Sequence, residues 1–207
     1  MASLGILGGT FNPPHIAHLV CALEARSQLG LDSVVLMPVN TPPHKEAAGD
    51  PGPEVRADLC RAAVAGEPGL EVSTLEIERG GPSYTVDTLR ALHEAREGDD
   101  LTFIVGGDMA WSLPSWREPE AVLDLARIAV ADRHGLHRQE IIDRLAPLPG
   151  AAERVVFFTM PRLDVSSSDL RARVAAGRPV RWLVPDGVMD EIERRGLYGA
   201  TAGKALA

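Results

Sequence analysis

"LGILGGTFNPPHIAH", residues 4 to 18, opens on an apolar run and closes on two histidines three apart, with two glycines, a hydroxyl and an Asn-Pro-Pro corner between. The run reads as a strand over 4–7. Gly8 and Gly9 are expected to turn the chain where the strand ends, and their missing side chains let a ligand approach the backbone. Asn12 suits the N-cap of a following helix, with Pro13 in the first turn, where its absent N–H costs nothing. His15 and His18 then share one face of that turn. Free N–H groups and the positive end of the helix dipole meet there, which suits phosphate. Imidazoles beside them can donate to phosphoryl oxygens and stabilise charge that develops in a transition state.

Other uses of such a corner fit less well. The spacing matches neither the G-x-G-x-x-G of dinucleotide folds nor the G-x-x-x-x-G-K-[ST] of phosphate-loop NTPases. Zinc would need a third ligand, and no acidic or cysteine residue accompanies the histidines locally. The plainest alternative is a strand–turn–helix corner with two surface histidines.

Working outward, further apolar runs at 33–38, 70–75, 101–106, 127–132 and 154–158 read as strands, mostly without polar alternation. Helical patterns fall between them at about 16–29, 54–65, 84–97, 117–125 and 137–146, with two more at about 167–176 and 186–195. The alternation predicts an α/β fold: a Rossmann-like doubly wound sheet of mostly parallel strands with helices on both faces and ligands at the strands' carboxyl ends. The segment 40–54, rich in Pro and Gly, is the longest irregular stretch, and 199–207 reads as a frayed tail of a single domain spanning 1–207.

Composition narrows the class. The 207 residues carry 45% hydrophobic and 24% charged content, ordinary globular usage. A formal charge of −8 argues against a general nucleic-acid binder, so an anionic ligand must be met by local donors. Cys21 and Cys60 lack the spacing of a metal or redox motif and read as small core residues in a reducing cytosol. No run approaches a membrane span and the first residues lack a leader's basic and apolar regions, so a cytoplasmic protein is expected.

"DVSSSDLRARVAAGRP", residues 164 to 179, repeats the anion-binding physics. Ser166 suits an N-cap with Asp169 three residues later, and Gly177 with Pro179 ends the helix. A well-capped helix explains those three residues, but not three consecutive serines with Arg171 one turn after Ser167. Hydroxyls, N–H groups and a guanidinium at one helix start form a multidentate anion clamp.

Together, "GGTFNPPHIAH" and "VSSSDLR" resemble the H-x-G-H and S-x-[ST]-x-x-R elements of the nucleotidylyltransferase superfamily. More narrowly, the chain is similar to the bacterial nicotinate-nucleotide adenylyltransferases, through "PVNTPPHK" (38–45), "IERGGPSYTVDTL" (77–89), "GGDMAWSLPSW" (106–116) and "LVPDGVMDEIERRGLY" (183–198). The likeness runs from about residue 4 to 198, with one departure: Ala17 stands where the family element usually has glycine.

The resemblance implies adenylyl transfer. The 5′-phosphate of nicotinate mononucleotide attacks the α-phosphorus of ATP in line, pyrophosphate leaves and deamido-NAD forms. On the ATP side it implies backbone contacts from Gly8, Gly9, Thr10 and Phe11, phosphate and transition-state contacts from His15 and His18, a grip from Ser166, Ser168 and Arg171, and a further contact from Arg133. For the mononucleotide it points to Asn40, His44, Lys45, Tyr84, Thr85, Asp108 and Trp116. Ser83 is expected to cap the helix at 84–97, leaving N–H groups near Tyr84 and Thr85 for the substrate carboxylate. Trp111 and Trp182 read as core residues. Magnesium is expected with ATP, nucleic acid and membrane are not expected as partners, and a homo-oligomer stays open. The rivals are a sister transferase that adenylylates another phosphate and a catalytically silent nucleotide binder on the same fold.

Overall fold

The computed structural model describes residues 2–41, 49–132 and 138–200. In chain order its elements are β1 (Ser3–Gly9), α1 (Ile16–Leu29), β2 (Ser33–Pro38), α2 (Pro53–Val64), β3 (Leu70–Val72), α3 (Leu75–Arg79), α4 (Thr85–Ala95), β4 (Asp100–Gly106), α5 (Gly107–Ser112), α6 (Pro119–Leu125), β5 (Arg127–Asp132), α7 (Arg138–Leu145), α8 (Ala151–Arg154), β6 (Val155–Thr159), α9 (Ser167–Ala175) and α10 (Asp186–Arg195). Short 3₁₀ turns follow at Leu113–Ser115 and Leu197–Gly199.

The strands form one sheet in the order β3-β2-β1-β4-β5-β6, and every neighbouring pair is parallel. This is the doubly wound arrangement: the chain winds outward from β1 through β2 to β3, then returns to β1's other side with β4.

Alternate side chains of the same strands feed two cores, which is why the strands carry no polar alternation. Leu4, Ile6, Val35, Met37, Phe103 and Val105 pack beneath α4 and α6, along with Ile141 and Leu145 of α7. Leu7, Val34, Leu36 and Ile104 pack against Cys21, Ala22 and Ala25 of α1, with Cys60. Both cysteines are buried thiols outside any disulfide, and burial pushes the Cys60 thiol up. A third cluster joins Leu59 of α2, Leu170 and Val174 of α9, and Val188 and Ile192 of α10. Through it the C-terminal helices are fixed beside α2.

Several expectations need correction. The strand expected over 70–75 ends at Val72, because Thr74 is already the N-cap position of α3 and the Ser73 hydroxyl accepts from the Leu75 N–H at 3.3 Å. Trp111 and Trp182 are not core residues: they are 45% and 72% exposed. Trp111 follows Ala110, the buried residue of α5, and so faces outward; Trp182 sits in a loop at φ 67° beneath the Arg181 guanidinium. Of the expected tail, Gly199 closes the last 3₁₀ turn and Ala200 packs on the third cluster, while 201–207 lie outside the described residues.

Gly5 lies in the middle of β1, the strand covered on both faces. A Cβ there would meet Val34 Cγ2 at 2.8 Å, Leu31 Cδ1 at 2.9 Å and Ile104 Cδ1 at 3.1 Å. Gly5→Ala should therefore lower stability by about 1–3 kcal/mol through overpacking. Urea melts should show a lower midpoint at an unchanged slope; an unaltered midpoint would mean that the three side chains yield freely.

Candidate active site

Because all six strands run the same way, the loops after them converge on one edge of the sheet, and the reversal of winding opens a crevice between β1 and β4. The register shows the opening. Pairing of β1 with β2 continues to Gly9 opposite Pro38, whereas pairing with β4 stops at Leu7 opposite Ile104. Gly8 and Gly9 thus sit at the end of β1 with the β4 side unladdered, and they do not turn the chain. The turn falls at Phe11, which has φ 50°. Gly9 answers to Phe11 instead: a Cβ at position 9 would lie 3.0 Å from the Phe11 ring. That ring is buried, and it meets His18 edge-on with centroids 4.9 Å apart. Thr10 follows β1 and its carbonyl is held from the other side by Arg56.

The helix that follows begins at Ile16, where the 16–29 pattern puts it. Its N-cap is His15, not Asn12. Pro14 biases Pro13 away from helical geometry, and Asn12 is turned inward, where its Oδ1 accepts from the Tyr198 hydroxyl at 2.7 Å. The His15 and His18 rings stack with centroids 3.7 Å apart and planes 25° from parallel. The His15 N–H donates to His18 Nδ1 at 3.2 Å. A nitrogen that accepts carries no proton, so this bond leaves His18 Nε2 as the protonated donor.

The downstream anion element is sewn to this corner. Ser166 caps α9, with its Oγ accepting from the Asp169 N–H at 3.1 Å. Arg171 Nη1 donates to the Asn12 carbonyl at 2.8 Å, and the Ser167 hydroxyl donates to the Pro13 carbonyl at 2.8 Å. Arg171 Nη2 reaches Ser168 Oγ at 3.3 Å. Two helix starts more than 150 residues apart in sequence therefore stand side by side, with Ser166 and Ser168 exposed and further guanidinium N–H groups to spare.

On the β2 side, Asn40 acts first as a strut. Its N–H donates to Ser83 Oγ at 3.0 Å and its Nδ2 to the Gly81 carbonyl at 3.0 Å. Ser83 is consequently occupied and does not cap α4. The N-cap is Tyr84, no side chain caps the helix, and Thr85 is its first residue. Beneath this end lies Glu76, 4% exposed, whose Oε1 accepts from the Thr88 hydroxyl at 2.6 Å. Burial pushes this carboxyl up, against the opposing pull of the Ser83 and Thr88 hydroxyls and Arg79. Asp108 is exposed in the first turn of α5, directly after β4. Trp116 is half-buried: it packs edge-on to Phe103 at 6.1 Å and donates its indole N–H to Ser112 Oγ at 3.0 Å. His44, Lys45 and Arg133 lie outside the described residues.

Sequence reading missed four residues that organise the site: Arg56, Glu76, Ser167 and Tyr198. Charged residues near apolar helical positions gave a faint signal for the first two. The run of three serines marked the segment but not Ser167's own role, and nothing local marks Tyr198; their partners are 154 and 186 residues away.

A parallel sheet of this order, with two helix starts joined at its switch point, defines a class. Residues 6–173 match the family model described as cytidylyltransferase-like, and the chain belongs to that group of nucleotidyltransferases. A Roseiflexus protein named as a probable nicotinate-nucleotide adenylyltransferase is 46% identical over 95% of this chain and 98% of its own, and a Desulfitobacterium hafniense protein of the same name is 41% identical over 94% and 95%. The chain is therefore a member of the nicotinate-nucleotide adenylyltransferase family. The fold is shared with the Plasmodium falciparum nicotinic acid mononucleotide adenylyltransferase, solved in complexes with APC and with NaAD: TM-score 0.74, 16% identity, covering 97% of this chain and 99% of that one. Among the described residues no helix is long and apolar enough to cross a membrane.

Glu76 makes the support of α4 sensitive to pH. A carboxyl whose pKa is raised on folding binds its proton more tightly in the native state, so stability is lost as pH rises from the ordinary carboxylate range through the folded value. Glu76→Gln removes that titration, and its melting temperature relative to the wild type should climb from pH 5 to pH 8. Parallel curves for the two proteins would show that burial leaves Glu76 unaffected.

Proposed function

We propose that the chain transfers the adenylyl group of ATP to nicotinate mononucleotide, forming deamido-NAD and pyrophosphate. The observation that carries this reading is the pair of helix starts stitched together at the switch point by Arg171 and Ser167. Such a pair offers donors from two directions to one polyphosphate, despite the chain's overall negative charge.

ATP lies over the end of β1, against the backbone of Gly8, Gly9, Thr10 and Phe11, with Arg133 as a further contact. Ser166, Ser168 and Arg171 grip the triphosphate. His18 presents Nε2–H to the phosphoryl oxygens, and His15 buttresses it by stacking. The mononucleotide lies toward β2 and α4, near Asn40, His44 and Lys45, with Asp108 placed for its ribose hydroxyls and Trp116 for its pyridinium face. Its 5′-phosphate, already an anion, attacks the α-phosphorus in line as pyrophosphate departs. No enzyme nucleophile is required, and the protein contributes positioning and charge stabilisation.

A magnesium ion accompanies ATP in this reading. Among the described residues no three His, Cys, Asp or Glu side chains come together as a metal cage. Such an ion would come with the phosphate oxygens of ATP and would screen their charge.

Acid rather than amide is the preferred substrate. The uncapped start of α4 leaves backbone N–H groups at the positive end of its dipole, which a carboxylate satisfies fully. An amide turns its NH₂ toward one of them and leaves a polar group unpaired, at about 1–3 kcal/mol. Pyrophosphate release from ATP mixed in turn with nicotinate mononucleotide, nicotinamide mononucleotide and phosphopantetheine tests both points. The acid should be favoured over the amide by roughly 10- to 100-fold in kcat/KM. Equal use of the two, or turnover of phosphopantetheine alone, would overturn the assignment.

His18→Ala should lower kcat on the order of 10²-fold while ATP affinity changes little, because a donor aimed at developing charge matters most in the transition state. Calorimetric ATP binding alongside steady-state rates separates the two effects. Near-normal kcat would remove His18 from the reaction.

A further inference from the structure

Arg56 stands in the first turn of α2 with its side chain fully buried. Nη1 donates to the Thr10 carbonyl at 3.0 Å and to the Val39 carbonyl at 2.8 Å, while Nη2 donates to the Asn40 carbonyl at 3.0 Å. Nε donates to Asp50 Oδ1 at 3.0 Å, and the same oxygen accepts from the Gly52 N–H at the start of α2.

Burying a guanidinium is costly, and an apolar side chain of similar size would fill the space at less expense in solvation. What an apolar side chain lacks is the rigid planar fork, which fixes three backbone carbonyls relative to one another. Those carbonyls are not arbitrary. Thr10 belongs to the loop after β1, and Val39 and Asn40 begin the loop after β2. From Asn40 the connection continues through its N–H to Ser83, next to the open start of α4. One side chain thus ties both substrate loops together from behind.

We propose that Arg56 is a positioning residue that holds the two substrate loops in one register, so that filling either site tightens binding at the other. The inference rests on ATP occupying the β1 side and nicotinate mononucleotide the β2 side. A ligand that orders Thr10 through its backbone orders the fork, and the fork orders Val39 and Asn40 before the second ligand arrives. The second ligand then loses less conformational entropy on binding. By linkage the effect is reciprocal.

The test is calorimetric titration of the wild-type protein with an ATP analogue carrying a methylene between the α- and β-phosphorus, alone and with saturating nicotinate mononucleotide. The mononucleotide should tighten analogue binding by roughly 5- to 150-fold. Arg56→Lys keeps the charge but not the fork, and its ratio should fall toward one, with the lost affinity appearing only when both ligands are present. A purely structural role would lower the melting temperature or the active fraction and leave that ratio intact. Hydrogen exchange on the wild type serves should the variant not fold: the analogue alone should slow exchange at Val39 to Thr41 and Ser83 to Thr85. Independent binding in the wild type, an unchanged ratio in a folded Arg56→Lys, or unaltered exchange at those amides overturns the proposal. Absence of any nicotinate mononucleotide binding or turnover by the wild type would instead bring down the functional reading beneath it.

Discussion

Two backbone carbonyls, those of Asn12 and Pro13, hold the entry to α1 against the start of α9. Arg171 takes one and Ser167 the other, and both donors sit in the first turns of α9. A polyphosphate needs positive potential from several directions, and a helix N-terminus supplies it from only one. In the proposed function, setting α9 against the entry to α1 meets that need without a basic surface. The third hydrophobic cluster makes the juxtaposition possible, because Leu170 and Val174 lock α9 against α2 and α10. Tyr198 adds a third stitch to the same corner, through Asn12 Oδ1. The far end of the chain therefore takes part in shaping the site, although nothing at that end touches a substrate in the proposed pose.

Burial explains the polar organisation behind the loops. Arg56, Asn12 and Glu76 are each at most 4% exposed: Arg56 bonds the backbone that follows β1 and β2, Asn12 lies in the loop after β1, and Glu76 bonds Thr88 of α4. Loops at strand ends have few ladder bonds of their own, so their geometry must be imposed from below. Arg56 serves this purpose under the β1 and β2 loops, and Glu76 with Thr88 serves it under α4. Such groups are expensive to bury, and a site whose reacting atoms must be held to a fraction of an ångström is a setting where that cost is justified.

The fold was largely legible in the sequence because its strands are buried on both faces, and the apolar runs they require stand out against amphipathic helices. Helix starts were legible where one side chain decides them: Ser166 caps α9 as its spacing suggests. They were misread where a distant group intervenes. Asn12 and Ser83 have good capping chemistry, but Tyr198 engages the first and the Asn40 N–H the second. Propensity sees a side chain's local options, while tertiary partners decide which option is used. The two tryptophans were misassigned for a related reason. The core reading rested on the lack of a ligand role, but Trp111 falls on the outer face of a six-residue helix and Trp182 in a loop of left-handed backbone, and neither environment can be inferred from neighbouring residues.

Ala17 joins these threads. It occupies the second helical position of α1, between the stacked histidine pair, and is 5% exposed. Its methyl is thus packed within the structure, so the glycine usual in the family is not needed here for clearance on the protein side. Within a helix, alanine is favoured over glycine by about 1 kcal/mol, chiefly because glycine loses more backbone freedom on ordering. That preference acts on the turn that sets the relative placement of His15 and His18. In that turn the Ile16 N–H already donates to the Leu183 carbonyl at 3.0 Å and the His15 N–H to His18 Nδ1 at 3.2 Å, bonds that the substitution leaves untouched. Ala17 therefore stiffens the histidine platform while the stitches to α9 keep its orientation, so that the two devices act on the same few residues from opposite sides.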